Sequence, residues 1–410
     1  MKSVIIVGAG PSGLLLALNL ARKGIQVRVL ELSAELDNQP RATHYGPAAV
    51  HELRRSGILE EIQKQALMPN SVVWRDSDGN VLAELPQSAV ASKDRVVSLP
   101  LNSVVKILYD AVCAQPTARV DFSHTVTEVS QDDDEAWVRV RTEPHEQDVK
   151  ISASYIVGCD GASSIVRHSL FESEFPGFTW DLWLVATNVR FGGFSHAGWS
   201  DINFVIHPTD WFMAARLGGP DNLWRITYPE DAKLSREECA ARVVDRLRSI
   251  LPGHPGPDQF EVVNSSPYRV HQRCAPRFRS GRILLAADAA HLCNPMGGMG
   301  LTSGIVDVGG LSDCFIGIHQ ESATHEILEK YAEVRRNTYR DIVDPITTTN
   351  LKRLMMEPKQ ALATDPFLQA CRSAKDSPEA AGKLAQSMRA AALLKHDFTQ
   401  YYTTSSSISS

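Results

Sequence analysis

Several things are missing from this 410-residue chain, and each absence removes a class of function. The seven cysteines (Cys113, Cys159, Cys239, Cys274, Cys293, Cys314 and Cys371) contain no CxxC pair. There is likewise no HxxxH or HExxH pattern and no carboxylate triad, so no metal centre is expected. An odd, scattered set of thiols suits a reducing cytosol better than a disulfide framework. Ser163-Ser164 does not form GxSxG, which sets aside that route to hydrolysis. No block of like charge occurs, and the net charge is −6 with both signs spread along the chain. Nucleic acid and anionic membrane surfaces are therefore poor partners. The apolar run over 14–20 falls far short of the ~20 residues that span a bilayer. The first strand starts after two residues, leaving no room for a cleavable leader. The expectation is a cytoplasmic protein with no obligatory membrane contact. A composition 43% hydrophobic and 22% charged is that of an ordinary globular protein. Its length suits two domains, or one with a large insertion.

The most informative stretch is residues 1–31. Residues 2–7 carry an apolar run fit for a buried parallel strand. Gly8, Gly10 and Gly13 follow at GxGxxG spacing with Ala9, Pro11 and Ser12 between them, and 14–23 reads as a helix. Residues 25–30 form a second strand with Glu31 at its tip, 18 residues after Gly13. The first glycine permits the tight turn, the second admits a pyrophosphate to the backbone, and the third lets helix pack on strand. The helix N-terminus offers free N–H groups to phosphate, and Glu31 can accept both hydroxyls of an adenosine ribose. This is a dinucleotide site; which dinucleotide stays open at this point.

Further along, 48–57 and 103–113 read as helices, and 71–74 with 81–85 as a hairpin around 76–80. Strand-like runs at 121–129, 137–142 and 149–152 come next, with the acidic cluster 132–135 as a solvated turn. Residues 155–157 are a buried strand ending in Gly158-Cys159-Asp160-Gly161, with Arg167 beyond. Aromatics become dense over 171–228, the composition of an antiparallel sheet with an apolar face. Residues 234–251 look helical, with Ser235 and Glu238 as a capping box. A strand at 282–287 runs into Asp288, then Pro295, Gly297, Gly298 and Gly300, then a helix over 301–318. From 327 on the chain is mostly helical, and the serine-rich 403–410 reads as a disordered tail.

Three separated motifs, Gly8–Gly13 with Glu31, Gly158–Arg167, and Ala287-Asp288 through Gly300 to Asp307, together resemble the class A FAD-dependent monooxygenases, the p-hydroxybenzoate and salicylate hydroxylase type. The likeness covers about the first 345 residues. Wording such as Pro40-Arg41-Ala42-Thr43 and Trp224-Arg225-Ile226-Thr227-Tyr228 looks most like fungal members working in secondary metabolism. The resemblance implies that Gly8, Gly10, Pro11, Ser12, Gly13 and Glu31 hold the ADP half of FAD. It places Arg41 beside the flavin, Asn102 near the phosphates and Asp160 in a motif credited with both FAD and nicotinamide handling. Asp288 would bind ribityl hydroxyls, Pro295 would lie near the ring, and Gly298, Gly300 and Leu301 would bring backbone N–H groups to its pyrimidine edge. Apart from any family, a glycine-rich turn opening a helix aims donors and a positive dipole end at negative charge such as reduced flavin carries. Two departures stand out. Ala287 replaces the usual glycine before Asp288, a small perturbation on this reading. Met299-Gly300-Leu301-Thr302 lacks the two side-chain amides of bacterial members.

The implied fold is α/β: a Rossmann-type FAD-binding domain (1–74, 99–171 and 269–345), an inserted β-rich substrate domain (75–98 and 172–268), and a helical C-terminal region (346–402). The implied function is a monooxygenase in which NADPH or NADH reduces FAD, O₂ adds at flavin C4a, and one oxygen passes to an aromatic or unsaturated molecule, polyketide- or alkaloid-like in scale. Quaternary structure is monomer or homodimer. Arg41, His44 and Arg190 are the catalytic candidates. His44 either donates to a substrate or peroxide oxygen or caps a carbonyl. Arg190 is either the cation that some fungal relatives carry in this sheet or a solvated sheet-edge arginine. Arg225 faces either cavity or water, and His291 reads as a structural hydrogen-bonder. A flavin halogenase would carry Trp-x-Trp-x-Ile-Pro, and the chain after Trp183 does not continue that way. The rival classes are an FAD-dependent reductase without oxygen insertion and a non-catalytic dinucleotide-fold carrier.

Overall fold

A computed structural model of the chain describes residues 1–37, 42–86, 94–142, 147–218, 223–390 and 394–403. Arg41 and most of the serine-rich tail lie outside the described residues. The apolar run at the start becomes the strand Ser3–Val7, flanked in parallel by Gln26–Leu30 and Tyr155–Gly158. Ala118–Asp121 extends the sheet on one side, and Ile283–Leu285 and Arg279–Ser280 on the other. Only the last pairing is antiparallel. Strand order reverses at Ser3–Val7, and ligands of open α/β sheets bind at such a switch point, outside the carboxyl ends of the strands.

Two apolar helices cover this sheet. Pro11–Ala21 buries Leu14, Leu15, Leu16, Ala17, Leu18 and Leu20 almost completely, each leucine contributing about 1.5–3 kcal/mol through lost water contact. The second, Met299–His319, has 21 residues and is long and apolar enough to cross a membrane by length and composition alone, yet 89% of its most apolar window is buried within the protein. Glycines on it let neighbours close in. A Cβ on Gly304 would stand 2.6 Å from that of Ala287, and one on Gly309 would strike the Glu52 carboxylate.

The aromatic-rich middle of the chain forms an eight-stranded sheet, antiparallel except where Ile202–Val205 runs parallel to Ser71–Arg75. Ser71–Arg75 also pairs with Val81–Pro86, so the expected boundary at residue 74 cuts through a strand of this sheet. The expected strand at 121–129 is likewise two elements: Ala118–Asp121 joins the parallel sheet, and His124–Gln131 opens a separate antiparallel meander. The long helix expected at 234–251 breaks into Arg236–Ala241 and Val243–Ile250, with the Ser235–Glu238 capping box formed. Near the end of the chain, Ile327–Thr338 passes through a π turn, Tyr339–Val343, into Asp344–Leu354.

One buried ionic cluster ties these parts together. Asp307, in the Met299–His319 helix and fully enclosed, accepts from Arg335 Nε at 2.6 Å, His291 Nε2 at 2.8 Å and the Ala287 amide at 3.0 Å. Burial works against its charge, but the Arg335 guanidinium and His291 outweigh it and hold the carboxyl at about 2. This contribution is full above the ordinary aspartate value and is lost as pH falls through about 2. Arg335 also donates to Ser303 Oγ and to the Leu394 carbonyl. Removing one partner strands the other charge in the core, so Arg335→Met is expected to lower the unfolding free energy by about 3–5 kcal/mol. Urea titration measures this, and a loss below about 1 kcal/mol would show that the pair is dispensable.

Candidate functional site

The carboxyl edge of the parallel sheet gathers the glycine loop, Glu31, Gly158-Cys159-Asp160 and Ala287-Asp288. Gly8 has φ +103°, and a Cβ there would lie 2.5 Å from the Cys159 carbonyl oxygen. A Cβ on Gly13 would lie 2.0 Å from the Gly8 carbonyl oxygen, while one on Gly10 would meet nothing within 4 Å. Two glycines are thus demanded by packing, and the third opens onto free space where a pyrophosphate can approach the backbone. The helix that follows has Pro11 in its first turn and no side-chain cap, so its N–H groups remain for an anion. Ser12 is buried beneath it. Glu31 braces the loop: one carboxylate oxygen accepts from the Ala9 amide at 2.8 Å and the other from Ser33 at 2.9 Å.

Asp160 takes a different place from the one expected. Its carboxylate accepts from Ser164 Oγ at 2.6 Å and from the Ile165 and Val166 amides, so it caps the helix Ile165–Phe171. Arg167 joins this motif to the third through the Ala162 and Ala289 carbonyls. Their observed role is to shape the loops around the site. Asn102 is exposed in the first turn of Leu101–Cys113, a helix packed against Pro11–Ala21.

At the other end, Asp288 and Pro295 are exposed beside the turn Gly297-Gly298, whose φ values of +118° and +63° suit glycine. The Met299–His319 helix begins there without a side-chain cap. A Cβ on Gly298 would meet nothing within 4 Å, and Leu301 is half-buried one turn in. The helices Pro11–Ala21 and Met299–His319 thus both start without a side-chain cap, and they pack on each other. Backbone N–H groups at both starts remain for anionic parts of a ligand. The amides missing from 299–302 are partly replaced: Thr302 Oγ1 donates to the Gly298 carbonyl at 2.8 Å and accepts from the Gly46 amide at 3.3 Å. Ala287 is a larger perturbation than expected. It sits at φ +56°, where a methyl costs roughly 1 kcal/mol or more.

The Gly46–Thr302 contact brings the short strand His44–Tyr45 to the start of that helix. His44 Nδ1 pairs with Thr43 Oγ1 at 2.7 Å, and its Nε2 is buried without a hydrogen-bond partner among the described residues. Burial and the Arg225 guanidinium together push His44 down to about 4. Arg225 lies on the face of the large sheet turned to His44 and donates from Nε to Asn188 Oδ1 at 2.7 Å, its register partner on the neighbouring strand. Burial lowers Arg225 to about 10, with Tyr268 opposing, and burial raises Tyr268 to about 12, with Arg225 opposing. His44 and Tyr268 are half-buried, and burial is the largest influence on the ionisation of each.

Arg190 is not brought to this cluster. It sits at the end of its strand, 40% exposed, in an ion pair with Glu261 at 2.8 Å, because two residues beyond Asn188 the strand has reached the rim of the sheet. The enclosed cation is Arg225. Its alternation with Trp224 and Ile226 placed it on one face, and only strand pairing says which. Tyr268 and Asn188 were missed because no local pattern marks them. His291, buried against Asp307, is the structural hydrogen-bonder expected.

A family model described as "FAD binding domain" matches residues 1–345. Among curated relatives, para-nitrophenol 4-monooxygenase of a Pseudomonas species is 38% identical over 89% of this chain and 90% of its own length. The 6-hydroxy-3-succinoylpyridine 3-monooxygenase of Pseudomonas putida is 32% identical over 86% of this chain and 89% of its own length. The crystal structure of a p-nitrophenol 4-monooxygenase from Pseudomonas putida superposes with a TM-score of 0.85 at 33% identity, covering 93% of this chain and 98% of that one.

Two outcomes follow from these residues. Ala287→Gly is expected to raise the unfolding free energy by about 0.5–1 kcal/mol, as relief of the left-handed methyl exceeds the added chain entropy; a neutral or negative value in urea titration would contradict it. His44 has a folded-state value below its unfolded one, so between about pH 4 and 6.5 only the unfolded chain takes up its proton, and stability falls as pH falls. His44→Gln should flatten that part of the stability–pH curve.

Proposed function

We infer that this chain, which belongs to the FAD-binding-domain family and is an FAD-dependent monooxygenase, hydroxylates a small phenolic aromatic with NADPH or NADH as reductant and O₂ as oxygen donor. The observation that carries the substrate class is the buried group of Arg225, His44 and Tyr268, whose strand His44–Tyr45 is joined to the first turn of the helix Met299–His319 by the Gly46–Thr302 contact. Bound FAD supplies electron transfer from the nicotinamide and the activation of O₂. Arg225, still cationic at neutral pH, lowers the pKa of a phenol set against it and favours the phenolate, whose ring is richer in electrons. A phenolate in turn offsets the cost of a buried cation. His44 stays neutral, and in the tautomer whose Nδ1 accepts from Thr43 Oγ1 its Nε2–H donates to the phenolate oxygen; filling that buried orphan is worth about 1–3 kcal/mol.

The apolar part of the ring has a wall on the same sheet face. Cross-strand register runs from Thr227 to Met213, Phe204 and Trp74, and the last two stack at 5.8 Å. Such a face excludes water from the reacting carbon. Within this reading Gly8, Gly10, Pro11, Ser12, Gly13 and Glu31 hold the ADP half of FAD, Asp288 the ribityl chain, and Pro295, Gly298, Gly300 and Leu301 the ring. Arg41 stands in the proposal from its sequence position. The reading also takes the parallel-sheet portion as an FAD-binding domain and the eight-stranded sheet as a substrate domain, in a cytoplasmic enzyme.

Screening small phenols for stimulated NAD(P)H oxidation, with mass spectrometry of products, tests this reading. The expected product is one oxygen atom heavier than the substrate, and methyl ethers of active phenols should be poor substrates. Oxidation of NAD(P)H with no such product from any phenol would leave a reductase instead. Arg225→Met should keep bound flavin but lower kcat/KM for phenols by about a hundredfold, the scale of losing one charged partner in a buried pair. Unchanged kcat/KM would remove Arg225 from the site.

A further inference from the structure

The loop that would carry the flavin ring, Asn294 to Gly298, is open in front and held firmly from behind. The hold comes from a part of the chain beyond residue 345, where the family match ends. Asn350, in the helix Asp344–Leu354, donates from Nδ2 to the Met296 carbonyl at 3.3 Å. A Cβ on Gly297 would stand 2.6 Å from that same Nδ2, so the amide occupies the space Gly297 leaves. The orientation of the amide is fixed by chemistry. Arg353 Nη1 donates to Asn350 Oδ1 at 2.5 Å, and a guanidinium has only donors, so the oxygen must face Arg353 and the nitrogen must face the loop. Arg353 is buried and is itself set by Asp365, with Nε to Oδ2 at 2.6 Å and both side chains below one-tenth exposed. The other oxygen of Asp365 caps the helix Pro366–Asp376 through the Phe367 and Leu368 amides.

A second brace comes from the same helix. Gln272 is buried; its Oε1 accepts from the Asn294 backbone and side-chain amides, while its Nε2 donates to Asp344 Oδ1 and Thr347 Oγ1. Met296 packs in one apolar cluster with Leu351, Leu354, Leu368 and Leu384. The loop is thus braced by Asn350 directly and by Gln272, a residue of the strand Glu261–Cys274 that is itself bonded to the helix Asp344–Leu354.

We propose that Asn350 is a positioning residue for the flavin-ring loop, and that the C-terminal helices set the seat of the ring through the series Asp365, Arg353, Asn350, Met296-Gly297. The proposal rests on the preceding reading only in taking FAD as the group the loop holds, and its test reads the flavin directly. In the full-length FAD-loaded protein, Asn350→Ala removes the donor. Asn350→Asp keeps the shape and the partner of Arg353 but cannot donate to Met296. Both should raise the FAD dissociation constant about fivefold, the equivalent of one lost hydrogen bond, and shift the visible flavin absorption band, with the thermal midpoint of Asn350→Asp close to that of the parent. Leu247→Ala, a core truncation in the helix Val243–Ile250 and outside that cluster, should lower the midpoint and leave the flavin band and FAD affinity of the parent. Parent-like FAD affinity and spectrum in Asn350→Asp would overturn the proposal. Equal flavin shifts in Leu247→Ala would overturn it too, since they would mean general loosening. A parent protein that binds no FAD would instead overturn the functional reading.

Discussion

The rest of the structure depends on a single enclosed carboxylate. Asp307 sits in the middle of the molecule with no exposure, and its three partners come from a strand end, a short loop strand and a separate helix. A buried ion pair is seldom a net source of stability against an apolar substitute. What it supplies is location: Ala287 is held by its amide, and that fixes where Asp288 stands. Arg335 carries the constraint on to Ser303 in the helix that opens at Gly298, and to Leu394 near the end of the chain. The carboxyl edge of the parallel sheet and the helix that opens at Gly298 are thereby referred to one point.

Around that point the molecule divides its tasks by chemistry. The glycine loop and two uncapped helix starts present backbone N–H groups, which bind charge without titrating. The opposing sheet presents side chains, among them a cation lowered by burial, a histidine kept neutral by it and a tyrosine kept protonated by it. Burial is the largest cause of each shift, and Arg225 couples to both His44 and Tyr268. The combination suits a ring that must be held as an anion while water stays out.

The comparison of sequence with structure is clearest at the arginines. Arg190 and Arg225 look alike in the sequence, each in a strand-like run beside aromatics. Pairing with Asn188 takes Arg225 under the sheet, and a position two residues past Asn188 leaves Arg190 at the rim with Glu261. Asp160 makes the same point. Its motif was legible, but its oxygens turned out to cap a helix. Ala287 was legible as a departure from pattern, and only its φ of +56° showed what the methyl costs.

The sequence by itself determined the dinucleotide edge, because Gly8, Gly10, Gly13 and Glu31 act through local backbone geometry that adjacent residues specify. It determined the core helix after Gly298 and the antiparallel aromatic sheet for the same reason, since periodicity is a local property. Tertiary structure alone decided that Arg225 is buried where Arg190 is not, why His44 is neutral, and that Asn350 and Gln272 bond to the loop Asn294 to Gly298. Each of those depends on strands and helices far apart in the chain meeting in one register, and the burial that shifts His44, Arg225 and Tyr268 exists only after they meet.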